Sequence, residues 1–188
     1  MKSRTASLSL ALCAISPLTP QAYSPNPVIA TAAKGMNLLK PIFKAEAQLQ
    51  AAVLGALGDI DRQVVVDEIN ENKNKNKALI YTYGLSPFSS EAVAILEGSG
   101  YDFTEIELGA EWFLLGSKES VVRVALADEI ESGATSLPKV FIGGKCVGGC
   151  SELSALVESG ELDSVMSKAK VSKKGEKSGP SFSLPFFK

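Results

Sequence analysis

The spacing of hydrophobic and polar residues changes several times along the chain, and each spacing predicts one type of element. Short β-branched or aromatic runs predict buried strands, and apolar residues repeated at three and four positions predict helices. The elements predicted in this way are a helix at 59–72, a strand at 78–83, a helix at 87–99, a strand at 103–108, a helix at 120–131, a hairpin with strands 140–142 and 146–147, and a helix at 151–162. Residues 59–166 are therefore predicted to form one compact α/β domain, in the order helix and then βαβαββα.

Another helical pattern precedes this domain. In residues 35–58, apolar residues repeat at three and four positions, which predicts an amphipathic helix or linker. They are Leu39, Ile42, Phe43, Ala47, Leu49, Val53, Leu54 and Leu57. One interpretation is a helix that binds a membrane surface or a partner, and the other is a helix that packs on the domain. The second is favoured, because this segment has little of the positive charge that membrane binding requires.

Charge divides the 188 residues into three parts, although the net charge of the chain is only −2. Residues 1–45 carry five basic side chains and no acid, and residues 167–188 carry six lysines and one acid. Residues 46–166 carry 8 basic and 20 acidic side chains, a net charge of −12. This acidic middle argues against nucleic-acid binding by the folded part. The lysine-rich segment 167–188 is predicted to be a disordered tail, in which Phe186 and Phe187 belong to a short apolar motif suited to docking.

The chain contains no histidine and only three cysteines, Cys13, Cys146 and Cys150. The lack of histidine excludes Ser-His and Cys-His nucleophilic sites and histidine-ligated zinc or haem. Three cysteines are too few for a disulfide scaffold or a four-cysteine metal site, so no metal is expected. No run of 18 apolar residues is present, so the sequence does not predict a membrane-spanning helix.

Three short motifs lie at the junctions between elements of the predicted domain. Ser86-Pro-Phe-Ser89 lies where a strand passes into a helix, Ser136-Leu-Pro138 lies just before a strand, and Val140-Phe-Ile-Gly-Gly-Lys-Cys-Val-Gly-Gly-Cys150 forms the hairpin and a second Gly-Gly turn. Together with the order of elements, these motifs resemble those of the glutaredoxin family. The resemblance implies a thioredoxin-like fold of glutaredoxin type, with a central four-stranded mixed sheet and flanking helices. It also implies that Pro138 is cis.

The resemblance places serine at both family cysteine positions. Ser86 occupies the position of the nucleophile and Ser89 that of the second cysteine. A serine hydroxyl cannot form a mixed disulfide, and the chain has no histidine to activate one. The alternative interpretation of Ser86, which we favour, is an N-cap for the helix that Pro87 opens. Cluster sharing, which needs the first cysteine, is expected to be lost as well.

The family's glutathione groove is expected at six positions: Tyr83, Leu137, Pro138, Gly149, Cys150 and Ser151. Tyr83 replaces a family lysine that pairs with a glutathione carboxylate, so we expect glutathione to bind weakly. Cys150 is the candidate reactive thiol, because helix N-termini favour thiolates. Cys146 is close enough in sequence for the two thiols to approach each other. The stretch 111–116 has no counterpart in the ordinary family pattern, and its role is open between local packing and a partner surface.

The N-terminal segment 1–34 is predicted to be a targeting presequence. A basic start precedes the short apolar core Leu8–Ile15, and an acid-free Ser/Thr/Pro-rich stretch follows a candidate cleavage point after Ala22. This arrangement resembles the bipartite presequences of algae with complex plastids. It implies a plastid location; secretion, another organelle or an N-terminus without an address are the alternatives.

Two functional hypotheses follow from these observations. By resemblance, the protein is a glutathione-dependent disulfide oxidoreductase of redox homeostasis, with weak or lost dithiol activity and Cys150 as an unconventional thiol. Alternatively, it is a non-catalytic module that binds glutathione, a protein thiol or a peptide in the same groove. The pair of serines favours the second hypothesis.

Overall fold

The computed structural model describes residues 24–36, 42, 44–49, 52–53, 60–109, 116–130 and 133–175. Its helices and strands, numbered in chain order, are α1 (Pro27–Met36), α2 (Arg62–Lys75), β1 (Ala78–Thr82), α3 (Pro87–Gly98), β2 (Thr104–Glu107), α4 (Ser117–Ala127), β3 (Lys139–Ile142), β4 (Lys145–Gly148), α5 (Cys150–Glu158) and α6 (Leu162–Lys168). Residues 44–49 are helical as well. No helix among the residues described is long and apolar enough to cross a bilayer.

The four strands form one mixed sheet in the order β2-β1-β3-β4. Strand β1 is parallel to β2, with Tyr81 opposite Ile106, and antiparallel to β3, with Tyr81 opposite Lys139. Strands β3 and β4 form the predicted hairpin, in which Phe141 faces Cys146. The α/β architecture, with helices on both faces of a four-stranded mixed sheet, is the one that the sequence predicted.

Every residue of β1 is buried, so the sheet separates two hydrophobic cores. Alternate side chains point to opposite faces of a strand. Leu79 and Tyr81 therefore join the core beneath α2 and α4, whereas Ile80 joins the core beneath α3, α5 and α6. In the second core Leu153 of α5 and Met166 of α6 are each 0% exposed.

The helices differ from their predicted bounds most clearly at the C-terminal end. The segment predicted as one helix, 151–162, is divided between α5 and α6, and Gly160 between them has a φ of 72°. The packed chain also continues beyond the predicted domain end at 166. The Asp102 N–H donates to the Ser172 carbonyl oxygen at 2.8 Å, and Val171 is buried in the second core. Residues 167–175, predicted to be disordered, are thus part of the folded unit.

Helix α1 lies largely inside the predicted presequence, yet it packs on the domain. Ile29 contacts the second core and Ala30 is buried, beside α3 and α5. The N–H of Asn26 donates to the Glu91 carboxylate at 2.6 Å. Residues 1–23 lie outside the described part, so the targeting address and the cleavage point after Ala22 stay predictions.

The predicted amphipathic segment 35–58 is described only in part. Ala47 is 1% exposed, and the Glu46 carboxylate accepts a 3.0 Å hydrogen bond from the guanidinium of Arg123 in α4. Ile42 and Leu49 are exposed. The middle of this segment therefore contacts the domain, while two of its large apolar side chains face water.

We expect Leu153→Ala to lower the free energy of unfolding by about 2–5 kcal/mol, because truncation of a fully buried leucine leaves a cavity. Leu85→Ala is the matched control, since Leu85 is 66% exposed, and it should change stability by no more than about 0.5 kcal/mol. Urea titration followed by circular dichroism measures both. Equal losses in the two variants would contradict the position of α5 in the core.

Candidate functional site

Three chain turns meet at one end of the sheet. Strands β1 and β4 end there and β3 begins there, because β3 is antiparallel to both of its neighbours. Helices α3 and α5 start from the same end. A methyl group added to Gly149 would lie 3.1 Å from the Pro138 carbonyl oxygen, so these two turns touch. The structure therefore brings the turns that carry the sequence-predicted site residues to one end of the sheet. We call the part of this end formed by Leu137 and Pro138 the Leu137–Pro138 edge.

Ser86 caps helix α3, as the sequence predicted. Its backbone is extended, with φ −81° and ψ 120°, and Pro87 follows at the first helical position. The hydroxyl oxygen of Ser86 accepts the Ser89 N–H at 3.3 Å. An N-cap oxygen satisfies a backbone donor that the helix itself leaves without a partner.

Ser89, the other serine of the motif, is buried with 2% of its surface exposed. Its hydroxyl oxygen accepts the Tyr83 N–H at 3.1 Å. The Ser89 hydroxyl therefore links the residue after β1 to the first turn of α3, and the Ser86 hydroxyl caps that turn. Each has a structural role at a position where the resemblance expects a thiol.

Cys150 is the residue for which the structure corrects the sequence-based expectation most. The side chain belongs to the second core and is 4% exposed, so it is not an open groove thiol. Burial raises the pKa of the Cys150 thiol from 9.0 to about 11; the carboxylates of Glu91 and Glu152 add to the rise, and a hydrogen bond with Ser154 opposes it. Desolvation thus outweighs the helix N-terminus that was expected to favour a thiolate.

Cys146 does not approach Cys150, contrary to the expectation from their spacing. Cys146 faces Phe141 across the β3–β4 ladder and packs against the first core, whereas Cys150 lies in the second. The sheet therefore separates the two free thiols. The pKa of the half-buried Cys146 is also raised, mainly by desolvation, against a hydrogen bond from the Gly148 backbone.

The start of α5 already has an acidic partner that the sequence analysis did not identify. The Glu152 carboxylate accepts the Gly149 N–H at 2.9 Å. A carboxylate in the first helical turn interacts favourably with the positive end of the helix dipole. The negative charge of Glu152 therefore repels any ligand carboxylate that approaches this turn. A glutamate three residues after the turn is the capping-box spacing, which was the available signal.

Two buried cations hold the loop that leads to Pro138, although no local sequence pattern indicates that either is buried. Arg123 is 3% exposed, and its Nε donates to the Thr135 carbonyl oxygen at 3.1 Å. Lys139 is 2% exposed, and its Nζ donates to the Ser136 carbonyl oxygen. Leu137 and Pro138 are buried between these anchors, and the Leu137–Pro138 bond is cis, as expected from the resemblance.

Other sequence-predicted features add less to this site. Ser151 is half-buried in the first turn of α5. Of the stretch 111–116, only Gly116 is described, as the residue before α4. No group of three histidine, cysteine, aspartate or glutamate residues within the described ranges could hold a metal ion.

A cavity of about 330 Å³ lies apart from these turns. It is bounded by α2, the β1–β2 pair and α4, and none of its lining residues belongs to the predicted site. Tyr81 lines it, and burial raises the pKa of this phenol. Glu68 and Lys118 form a 2.7 Å ion pair at the same cavity.

Known proteins match the chain over the region that carries this fold. No protein-family model matches. A glutaredoxin of Pseudomonas aeruginosa is 36% identical over 89 residues, which are 47% of this chain and 94% of that protein. A chloroplastic monothiol glutaredoxin of Arabidopsis thaliana is 30% identical over 95 residues, half of each chain.

A solved structure supports the same fold. The crystal structure of a buckwheat glutaredoxin–glutathione complex matches with a TM-score of 0.52 and 21% identity, over 59% of this chain and 94% of the other. At that identity the likeness concerns the fold alone. The bacterial relative adds the sequence evidence, since 94% of its length is matched at 36% identity. The chain therefore belongs to the glutaredoxin family.

Proposed function

We propose that this glutaredoxin-type protein has lost dithiol exchange and keeps ligand binding at the Leu137–Pro138 edge. One observation carries the proposal: Ser86 and Ser89, which the resemblance places at both thiol positions, act as hydrogen-bond acceptors for the backbone of the same turn. A hydroxyl in that role contributes to stability and provides no sulfur for exchange.

Thiol–disulfide exchange requires a thiolate that can reach a disulfide sulfur. Cys146 and Cys150 are the cysteines among the described residues, and the pKa of each thiol is raised by burial. Cys150 is buried and Cys146 is partly buried, and their raised pKa values leave both thiols protonated at neutral pH. The hypothesis of an oxidoreductase that uses Cys150 is therefore the weaker of the two.

The edge itself is suited to an extended backbone. Leu137 and Pro138 precede β3 and lie outside its ladders with β1 and β4, so the backbone of Leu137 can pair with an extended ligand in the manner of an added strand. Arg123 and Lys139 hold the two carbonyl groups just upstream, which reduces the loss of conformational freedom when a ligand binds. The buckwheat neighbour was crystallised with glutathione, which makes that tripeptide the first ligand to test.

Electrostatics limits how tightly glutathione binds. Its carboxylates would approach the start of α5, where the Glu152 carboxylate already accepts the Gly149 N–H. The family lysine that would offset this repulsion is Tyr83 here, and Tyr83 is buried. We therefore expect weak binding of glutathione and tighter binding of extended peptides without an acidic group at that end.

We also propose a plastid location for the protein. The basic, acid-free N-terminal sequence supports it, and the Arabidopsis relative is described as chloroplastic. Import of a fluorescent fusion of residues 1–60 into isolated plastids would test this proposal.

The folded protein should resist alkylation at Cys150. With a pKa of about 11, roughly one thiol in a thousand is ionised at pH 8, about 100-fold less than at the ordinary pKa. Labelling with iodoacetamide should accelerate as the pH rises towards 11. Mass spectrometry after tryptic digestion gives the rate at each cysteine, and guanidinium-unfolded protein serves as the control. Rapid labelling of Cys150 in the folded state at pH 8 would contradict the burial of this thiol.

Ser86→Cys should restore a reactive thiol, because the new sulfur would lie at the N-terminus of α3. We expect its pKa to fall below about 8. A coupled assay with glutathione, a mixed-disulfide substrate and glutathione reductase should show turnover for this variant and none for the unmodified chain. Ser99→Cys, at the opposite end of the same helix, is the matched control and should stay inert. Turnover by the unmodified chain would refute the loss of dithiol exchange.

Glu152→Gln should strengthen glutathione binding by about threefold to tenfold, since it removes a negative charge beside the helix start and leaves an oxygen that can cap Gly149. Isothermal titration calorimetry at low ionic strength measures the change. Glu158→Gln, at the other end of α5, removes the same charge and should leave affinity almost unaltered. Equal effects of the two variants would mean that glutathione does not approach this turn.

A further inference from the structure

We propose that the end of the sheet opposite the candidate site binds an anionic lipid surface. Seven exposed lysines belong to this end, which we call the basic pole: Lys75, Lys77, Lys145, Lys168, Lys170, Lys173 and Lys174. They come from the end of α2, the residue before β1, the β3–β4 turn, the last residue of α6 and the chain after it. The proposal is independent of the ligand-binding function proposed above.

Backbone contacts join these segments into one surface. The Gly143 N–H donates to the Lys77 carbonyl oxygen at 2.7 Å, which brings the β3–β4 turn and Lys145 next to the start of β1. The Lys77 ammonium group donates to the Lys170 carbonyl oxygen at 2.9 Å. A methyl group on Gly143 would lie 3.1 Å from Cβ of Ala169. The turn and the segment after α6 are therefore direct neighbours.

The last described residues extend the same surface across two aromatic rings. The ammonium of Lys173 lies 5.3 Å from the centre of the Tyr101 ring, and that of Lys174 lies 5.0 Å from the centre of the Phe103 ring. The Lys174 N–H donates to the Gly100 carbonyl oxygen at 2.8 Å. These contacts fix the positions of two lysines whose charges would otherwise be carried on a loose chain.

Few acids offset this charge. Lys75 pairs with Glu71 at 2.5 Å, and Glu97 and Asp102 are exposed at the rim. The pole stays positive while residues 46–166 as a whole carry −12, so the folded unit is strongly dipolar. An anionic surface would attract the pole and repel the remainder, which orients the molecule before contact.

The chemistry of the pole favours lipid over a polynucleotide or an acidic protein. It contains lysine and no arginine, so it offers compact point charges without the planar fork that reads phosphate geometry. The Tyr101 and Phe103 rings are covered by lysine ammonium groups, whereas nucleic-acid bases need open aromatic faces for stacking. A fluid anionic bilayer needs only accumulated positive charge within a Debye length.

The sequence that follows Gly175 has the composition of an interfacial anchor. It adds Lys177 and Lys188 and one acid, Glu176, together with the apolar residues Phe182, Leu184, Phe186 and Phe187. Basic residues beside aromatic and aliphatic ones are typical of segments that bind the headgroup region. Docking through the pole would leave the Leu137–Pro138 edge facing the aqueous phase, because the two lie at opposite ends of the strands.

Vesicle co-sedimentation of the full chain tests the proposal. Vesicles of phosphatidylcholine alone are compared with vesicles that contain 30% phosphatidylglycerol, at 50 mM and 300 mM NaCl. We expect binding only to the anionic vesicles, and a strong loss of binding at the higher salt concentration. Lys145→Gln/Lys174→Gln should lower the partition coefficient by roughly 25-fold, about fivefold for each lysine.

The matched control is Lys44→Gln/Lys118→Gln, which removes two positive charges away from the pole and should change partitioning less than twofold. Equal losses in the two double variants would show that net charge and not the pole drives binding, and would overturn the proposal. Retention on single-stranded DNA or polyglutamate without vesicle binding would overturn it as well. Thermal unfolding of each variant confirms that a loss of binding does not reflect loss of fold.

Discussion

Strand β1 has no side that faces water, and this constraint organises the rest of the molecule. Because all five of its residues are buried, helices must cover both faces of the sheet, and alternate side chains feed two separate cores. The same division places Cys146 and Cys150 in different cores, where neither can react with the other. Of β1 and its flanking turns, only the turns can therefore expose polar groups to solvent.

At one end of β1, the turn after the strand shows what a serine contributes at the start of a helix. A helix N-terminus favours any group that can accept hydrogen bonds from its free N–H groups. A thiolate at such a place remains a nucleophile, whereas the Ser86 hydroxyl oxygen is a neutral acceptor already used by the Ser89 N–H. The N-terminus of α3 would lower the pKa of a cysteine at this position, but with Ser86 it contributes only to the stability of the turn. The surrounding fold therefore forms with serine at this position.

The fold could be predicted from the sequence because its signals are local. Hydrophobic periodicity placed the strands and most helices, and the Ser-Pro pair identified the cap of α3. Burial depended on distant contacts that no local pattern reports. No local pattern distinguishes Arg123 and Lys139 from surface charges, yet both are buried and bind carbonyl groups of the loop before Pro138. Cys150 looked exposed at a helix start, yet it lies in the second core, which α3, α5 and α6 enclose.

The packing of α1 sets how much of the N-terminus can be removed without disturbing the folded unit. Asn26 supplies a backbone donor to the Glu91 carboxylate, and Ile29 and Ala30 cover part of the second core. A protease that cut within α1 would uncover apolar surface and deprive a nearly buried carboxylate of that hydrogen bond. A cut upstream of Asn26 would leave the folded unit intact. The folded state thereby imposes a C-terminal limit on any removable leader, and a peptidase acting on folded chains would find the bonds within α1 shielded.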